Sequence, residues 1–118
     1  MPEQNERDIF CKIANKEVPA EILMETNNFI AIPDIHPRVR GHALIIPKKH
    51  FTSLIDMPES LGSEMLDIIK KVFEINVRGG AEGFNIVINN LPAAGQLVPH
   101  FHVHLLPRKM NDGKGLGL

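Results

Sequence analysis

The sequence predicts an α+β domain with a mainly antiparallel five-stranded sheet, one long helix and one short helix. Three observations carry that expectation. Five short apolar stretches bounded by Pro, Gly or Asn read as strands, and one stretch carries a sustained helical stripe. Strands and helices do not alternate as a parallel sheet with crossover helices would require. At 118 residues with neither an internal repeat nor a linker, residues 1–118 form one domain, large enough for one core.

The elements follow in chain order. Residues 1–7 are polar and read as a flexible lead-in. Asp8 is placed to cap a short helix over Ile9-Phe-Cys-Lys-Ile13, which Val18-Pro19 then closes. Glu21-Ile-Leu-Met-Glu25 and Phe29-Ile-Ala-Ile32 are two strands joined at Asn27-Asn28. Pro33-Asp-Ile-His-Pro37 begins a connection that ends at Gly41, and His42-Ala-Leu-Ile-Ile46 is a third strand, stopped by Pro47. The long helix has Pro58 in its first turn. Its stripe is Leu61, Met65, Ile68, Val72 and Ile75, and Gly79-Gly80 ends it. Residues 83–88 form a fourth strand and His100–Leu106 a fifth, stopped by Pro107; residues 110–118 read as a flexible tail.

Composition narrows the function classes. The formal net charge of −1 gives no field for a nucleic-acid polymer, although local phosphate binding needs only a few donors. All six aromatic residues are Phe, a poor platform for stacking single strands. A single cysteine, Cys11, excludes an internal disulfide framework and points to a reducing compartment. No apolar run approaches the ~20 residues of a membrane span, so no membrane partner is expected. With an N-terminus unlike a secretory signal, the expected location is the cytoplasm.

Of the six histidines, half fall within Val98-Pro-His-Phe-His-Val-His-Leu-Leu-Pro107. A strand has a side-chain period of two, so His100, His102 and His104 share one face while Phe101, Val103 and Leu105 face the core. Such an array has three readings. It is a solvated face, a metal site with a position open for water, or a nucleophilic centre in which one imidazole attacks phosphorus and its neighbours donate hydrogen bonds. The preceding loop, Asn89-Asn-Leu-Pro-Ala-Ala-Gly-Gln96, offers amides and backbone N–H groups of the kind that cradle phosphate.

His-Phe-His-Val-His-Leu-Leu resembles the alternating signature of the histidine triad (HIT) superfamily. Ile9-Phe-Cys-Lys-Ile13, Lys16-Glu-Val-Pro-Ala20, Asp34-Ile-His-Pro37, Gly41–His50 and Ala94-Gly-Gln96 are similar to its Hint-type branch. The resemblance implies a homodimer that binds purine nucleotides and hydrolyses nucleoside phosphoramidates through a covalent nucleotidyl-histidine. It implies His102 as nucleophile, His104 at the phosphate and leaving group, and His100 and His42 supporting the array. It further implies Asn89 and Gln96 beside the phosphate, Asp34 on the ribose hydroxyls, and Phe10, Ile13, Val18 and Ile35 around the base.

Three departures bear on the finer label. Bacterial relatives carry Cys-x-x-Cys and bind structural zinc with a later histidine, whereas Asp8 here stands in place of the first thiol. No cofactor is therefore expected, and zinc on Asp8, Cys11 and His50 is the less favoured alternative. Leu97 stands where Hint-type enzymes carry a hydroxyl. Leu105-Leu-Pro-Arg-Lys109 resembles the Fhit-type branch, so dinucleoside polyphosphate hydrolysis is an alternative, as is a nucleotide-binding scaffold with vestigial activity.

Overall fold

The computed structural model describes residues 8–115. The expected lead-in at 1–7 and the last part of the tail lie outside the described residues. One antiparallel sheet in the order β1-β2-β3-β5-β4 is formed by β1 (Met24–Glu25), β2 (Phe29–Pro33), β3 (Ala43–Pro47), β4 (Gly83–Val87) and β5 (Val103–Arg108). Two helices accompany it, α1 (Ile9–Ala14) and α2 (Gly62–Arg78). The sheet order and helix count match the predicted class.

The period-two alternation divides the core between the two faces of the sheet. Phe29, Ala31, Ala43, Ile45, Val103 and Leu105 pack with Ile68, Ile69 and Val72 of α2. Ile30, Ile32, Leu44 and Ile46 point the other way and pack with Phe10 and Ala14 of α1. Phe101 joins the α2 side, so the histidines alternating with it lie on the α1 side. Asp8 caps α1 as expected: its Oδ1 accepts from the Cys11 N–H at 2.8 Å.

Several boundaries moved, each for a local reason. Pro47 and Pro107 lie inside β3 and β5 rather than stopping them. The β3–β5 pairing spans only Ala43–Ile45 and Val103–Leu105, so each proline has a strand on one side only, and its missing N–H leaves no ladder gap. The fifth strand starts at Val103, not His100. In continued register Phe101 would face Pro47, which has no N–H; instead the Phe101 N–H donates to the Phe51 carbonyl at 2.7 Å. The first strand shrinks to Met24–Glu25, where it pairs with Ala31 and Ile30. Pro58 precedes a 3-10 turn over Glu59–Leu61, and α2 begins after it. Ile75, assigned to the stripe, is 39% exposed near the end of α2.

The described part of the tail is tied back, because the Arg108 guanidinium donates to both carboxylate oxygens of Asp112 at 2.7 Å. Gly41 turns the chain into β3 at φ +84°, and an added Cβ would sit 3.2 Å from Pro107 Cγ and 3.3 Å from Asn76 Oδ1. Gly41→Ala is expected to cost about 1–3 kcal/mol. An unchanged denaturation midpoint would show that the turn relaxes freely.

Candidate active site

β5 and the extended segment before it carry His100, His102 and His104, and β3 is preceded directly by His42. The His42 and His104 rings lie 5.2 Å apart, those of His104 and His102 5.1 Å apart, and Phe10 from α1 meets His102 edge-on at 4.9 Å. His42, His100 and His102 are buried, and the His104 side chain is 21% exposed.

Backbone groups fix the protons on these rings, because an N–H only donates and a carbonyl only accepts. His102 Nδ1 lies 2.7 Å from the His100 carbonyl, so it carries the hydrogen and leaves the Nε2 lone pair available. His42 Nδ1 accepts from the Arg38 N–H at 3.1 Å, which puts the hydrogen of the neutral ring on Nε2. That nitrogen is 2.9 Å from His104 Nδ1, so His104 accepts there and keeps its own hydrogen on Nε2. The result is one ring with an outward lone pair beside another with an outward donor. Such a pair is suited to attack an electrophilic phosphorus while holding one of its oxygens.

Burial, followed by the neighbouring His102 and His42, holds the His104 pKa down to about 4, and burial lowers that of His42 as well. The folded chain keeps His104 neutral where the unfolded chain protonates it, so the unfolded state binds more protons between pH 6.5 and about 4. Stability is therefore expected to fall as pH drops through that window. Urea midpoints at pH 7 and pH 4.5 measure it, and the fall should shrink in His104→Gln.

The remaining expected residues divide. Asp34 Oδ1 accepts from the His36 N–H at 2.8 Å, and its Oδ2 lies 3.4 Å from His42 Nε2, so the carboxylate borders the imidazole array. Phe10 and Ile13 pack against the α1-side core, and a hollow of about 410 Å³ runs between Ile13 and Val18. Ile35, next to Asp34, is 86% exposed. Asn89 is partly buried, and its side chain has no hydrogen bond among the described residues.

Gln96 departs from expectation. Its Nε2 donates to the Thr52 and Val98 carbonyls at 2.7 and 3.1 Å, and its Oε1 accepts from the Leu91 N–H at 2.6 Å. Both amide hydrogens are committed to backbone, so the side chain braces the loop that leads to the histidines. The same brace holds Leu91 at φ 75°. Leu97 is 93% exposed and offers no donor.

The metal reading of the three alternating histidines does not survive. His100 Nε2 donates to the Pro47 carbonyl at 2.9 Å, and its Nδ1 faces Cys11 Sγ at 3.4 Å, away from its two neighbours. Among the described residues no group of metal-donor side chains includes His102. His100 instead joins Asp8, Cys11 and His50, whose donor atoms all lie within 4.8 Å of one another. Cys11 Sγ is 3.4 Å from His50 Nδ1, and Asp8 oxygens are 3.3 Å from both rings. Ligands at the corners of a tetrahedron around zinc, with bonds of about 2.0–2.3 Å, stand ~3.3–3.6 Å apart. Asp8 Oδ2 is also buried and has no hydrogen bond among the described residues, which suits an oxygen that could ligate a cation. These residues fit zinc better than Asp8, Cys11 and His50 alone, because folding supplies a fourth ligand. Four such ligands would close the shell of a bound zinc ion, whose role there would be structural.

Sequence reasoning missed the place of His100 beside Asp8, Cys11 and His50 and the backbone roles of Arg38 and Pro47. The last two act through N–H and C=O groups, for which side chains give no signal.

A five-stranded antiparallel sheet bearing such an imidazole row defines a class of α+β proteins with a histidine-centred site. The chain belongs to the HIT domain family, whose pattern matches residues 15–111. It is 42% identical over 106 residues to a HIT-like protein of Methanocaldococcus jannaschii, covering 90% of this chain and 82% of that one. It is 38% identical over 115 residues to the adenosine 5'-monophosphoramidase of Candida albicans, covering 93% and 75%. Its fold is similar to that of a Zn-bound histidine triad family protein from Mycobacterium smegmatis, with a TM-score of 0.85 and 36% identity over 92% and 80% of the two chains. Among the described residues no helix is long and apolar enough to cross a membrane.

Proposed function

We propose that the chain hydrolyses purine nucleoside phosphoramidates and related nucleoside monophosphate conjugates through a covalent nucleotidyl-histidine on His102. The observation that carries this reading is the hydrogen bond from His102 Nδ1 to the His100 carbonyl at 2.7 Å, which frees Nε2 for attack. The Nε2 lone pair forms a bond to the α-phosphorus, and the phosphorus–nitrogen bond to the leaving amine breaks. His104, with its single hydrogen on Nε2, donates a hydrogen bond to a phosphate oxygen beside the leaving group, and the leaving nitrogen takes its proton from solvent. Water then attacks the same phosphorus and loses a proton to solvent, the bond to Nε2 breaks with its electron pair returning to the ring, and the monophosphate departs. Similarity to a monophosphoramidase supports the choice of substrate.

Asp34 is proposed to turn its carboxylate to the ribose hydroxyls, with Phe10, Ile13, Val18 and Ile35 around the base and Asn89 at the phosphate. Gln96 acts by holding the loop. A second copy of the chain is the proposed partner: the outer edge of β4 is open, with Phe84 and Ile86 exposed to 41% and 45%. The dinucleoside polyphosphate alternative gains nothing from Arg108, whose guanidinium is committed to Asp112, Asn85 and the Lys114 carbonyl.

The test is rapid quenching during turnover of an adenosine phosphoramidate, followed by mass spectrometry. A nucleotidyl adduct on His102 is expected. Turnover with no adduct on any histidine would sink the mechanism.

A further inference from the structure

On the α2 side of the sheet, a cleft of about 340 Å³ runs between the turn at residues 39–41, the end of α2 and residues 107–114. Pro107 continues the row of Val103 and Leu105, which packs under α2, so the cleft lies on the face opposite the histidines. We propose that this cleft is a second anion site, built for a small phosphate monoester with an apolar body, whose occupant acts on His42 through the turn they share. The proposal does not depend on the chemistry assigned to His102.

Four observations support it. The first is unbalanced charge. The Arg108 guanidinium is committed to Asp112, the single carboxylate lining the cleft. Arg40, Lys109 and Lys114 also line it, and among the described residues no acidic side chain pairs with them. Three unpaired cations around one hollow suit a phosphate monoester, close to a dianion at neutral pH, better than a monoanion.

The second is an orphaned amide. Asn76 lines the cleft, and its Nδ2 is buried with no hydrogen bond among the described residues. A Cβ added to Gly41 would lie 3.3 Å from Asn76 Oδ1, so the amide lies over the cleft wall at Gly41. Half a turn about its last torsion, a broad one, presents the nitrogen to an acceptor oxygen there.

The third is an apolar wall. Val39, Ile75, Ala81 and Pro107 line the same hollow, and Ile75 is 39% exposed although it continues the core stripe of α2. An apolar body laid against these side chains removes that surface from water, which bare phosphate cannot do.

The fourth is the shared turn. The Arg38 N–H donates to His42 Nδ1, and the His42 N–H donates to the Val39 carbonyl, each at 3.1 Å. An occupant held by Arg40 and packed on Val39 therefore bears on the turn that sets the His42 tautomer, and through that ring on His104.

The probe is phenyl phosphate, titrated into the full ¹⁵N-labelled chain, with inorganic phosphate and benzoate as parallel arms. Residue-resolved signals separate the cleft from the imidazole row, where a phosphate could bind as well. The amides of Gly41, Ile75 and Lys109 should report phenyl phosphate binding at about 1 mM or tighter. Benzoate lacks the second charge and inorganic phosphate lacks the apolar body, so each should bind there at least about 10-fold more weakly. Arg40→Gln combined with Lys109→Gln, both at exposed positions, should weaken the cleft titration at least about 10-fold and leave any titration at His102 unchanged. The ¹⁵N signals of the His42 ring should follow the cleft titration in wild type and not in the double variant. Cleft amides unmoved by phenyl phosphate, or titrating equally in the double variant, overturn the site. Equal affinity for benzoate or inorganic phosphate overturns the ligand class, and a His42 ring indifferent to cleft occupancy overturns the coupling. No readout involves turnover, so a missing nucleotidyl adduct would defeat the mechanism without touching this result.

Discussion

His102→Ala is expected to lower kcat on an adenosine phosphoramidate by at least ~10⁴-fold, because the variant has no group to form the bond to phosphorus. Monophosphate affinity should change only a few-fold, since His104, the loop and the apolar walls are untouched. His104→Ala should lose less, ~10²–10³-fold, because it removes one donor to the transition state and leaves the attacking lone pair in place. Steady-state kinetics beside calorimetric binding measure both. Turnover by His102→Ala within ten-fold of wild type would contradict the assignment. Equal losses in kcat and in monophosphate affinity would mean that the ring only binds.

Phe101→Ala is expected to cause the largest loss of stability, ~3–5 kcal/mol. The ring is 1% exposed, lies 5.3 Å from that of Phe51, and belongs to the core under α2. A domain of this size is stable by about 5–15 kcal/mol, so the change removes a large part of the total. The melting temperature should fall by on the order of 10–20 °C. Phe101 stands between His100 and His102, so a shift there also disturbs the carbonyl that orients the nucleophile. Activity measured well below the melting transition should therefore fall as well. Leu97→Ala, at a position 93% exposed, should leave stability unchanged. A loss below ~1 kcal/mol for Phe101→Ala would mean that the core refills the cavity.

Much of the fold is legible in local pattern. The apolar stripe running from Leu61 into α2 as far as Val72, the Asp8 cap, the apolar runs of β2 and β3 and the alternation in β5 are short-range signals, and each is found in the structure. The errors fall where a partner strand decides. Pro47 and Pro107 look like strand stops in isolation, yet both lie in strands because the side that would need their N–H is unpaired. His100 looks like the first residue of β5, but the ladder stops at Val103, because Pro47, which would face Phe101, has no N–H to pair. Ile75 continues the stripe in sequence, but it lies near the helix end and stays partly exposed.

The site divides along the same line. The sequence by itself determined that three imidazoles share a face, because a period of two is a property of an extended chain and needs no partner. It also determined that Phe101, Val103 and Leu105 anchor that chain from behind. Only the tertiary structure decided what each imidazole does. A ring's free nitrogen is set by which backbone group meets the other one, and those groups, the Arg38 N–H and the Pro47 carbonyl, come from distant parts of the chain. Three histidines two residues apart therefore end with different nitrogens free and different neighbours, by contacts that no spacing in the sequence encodes.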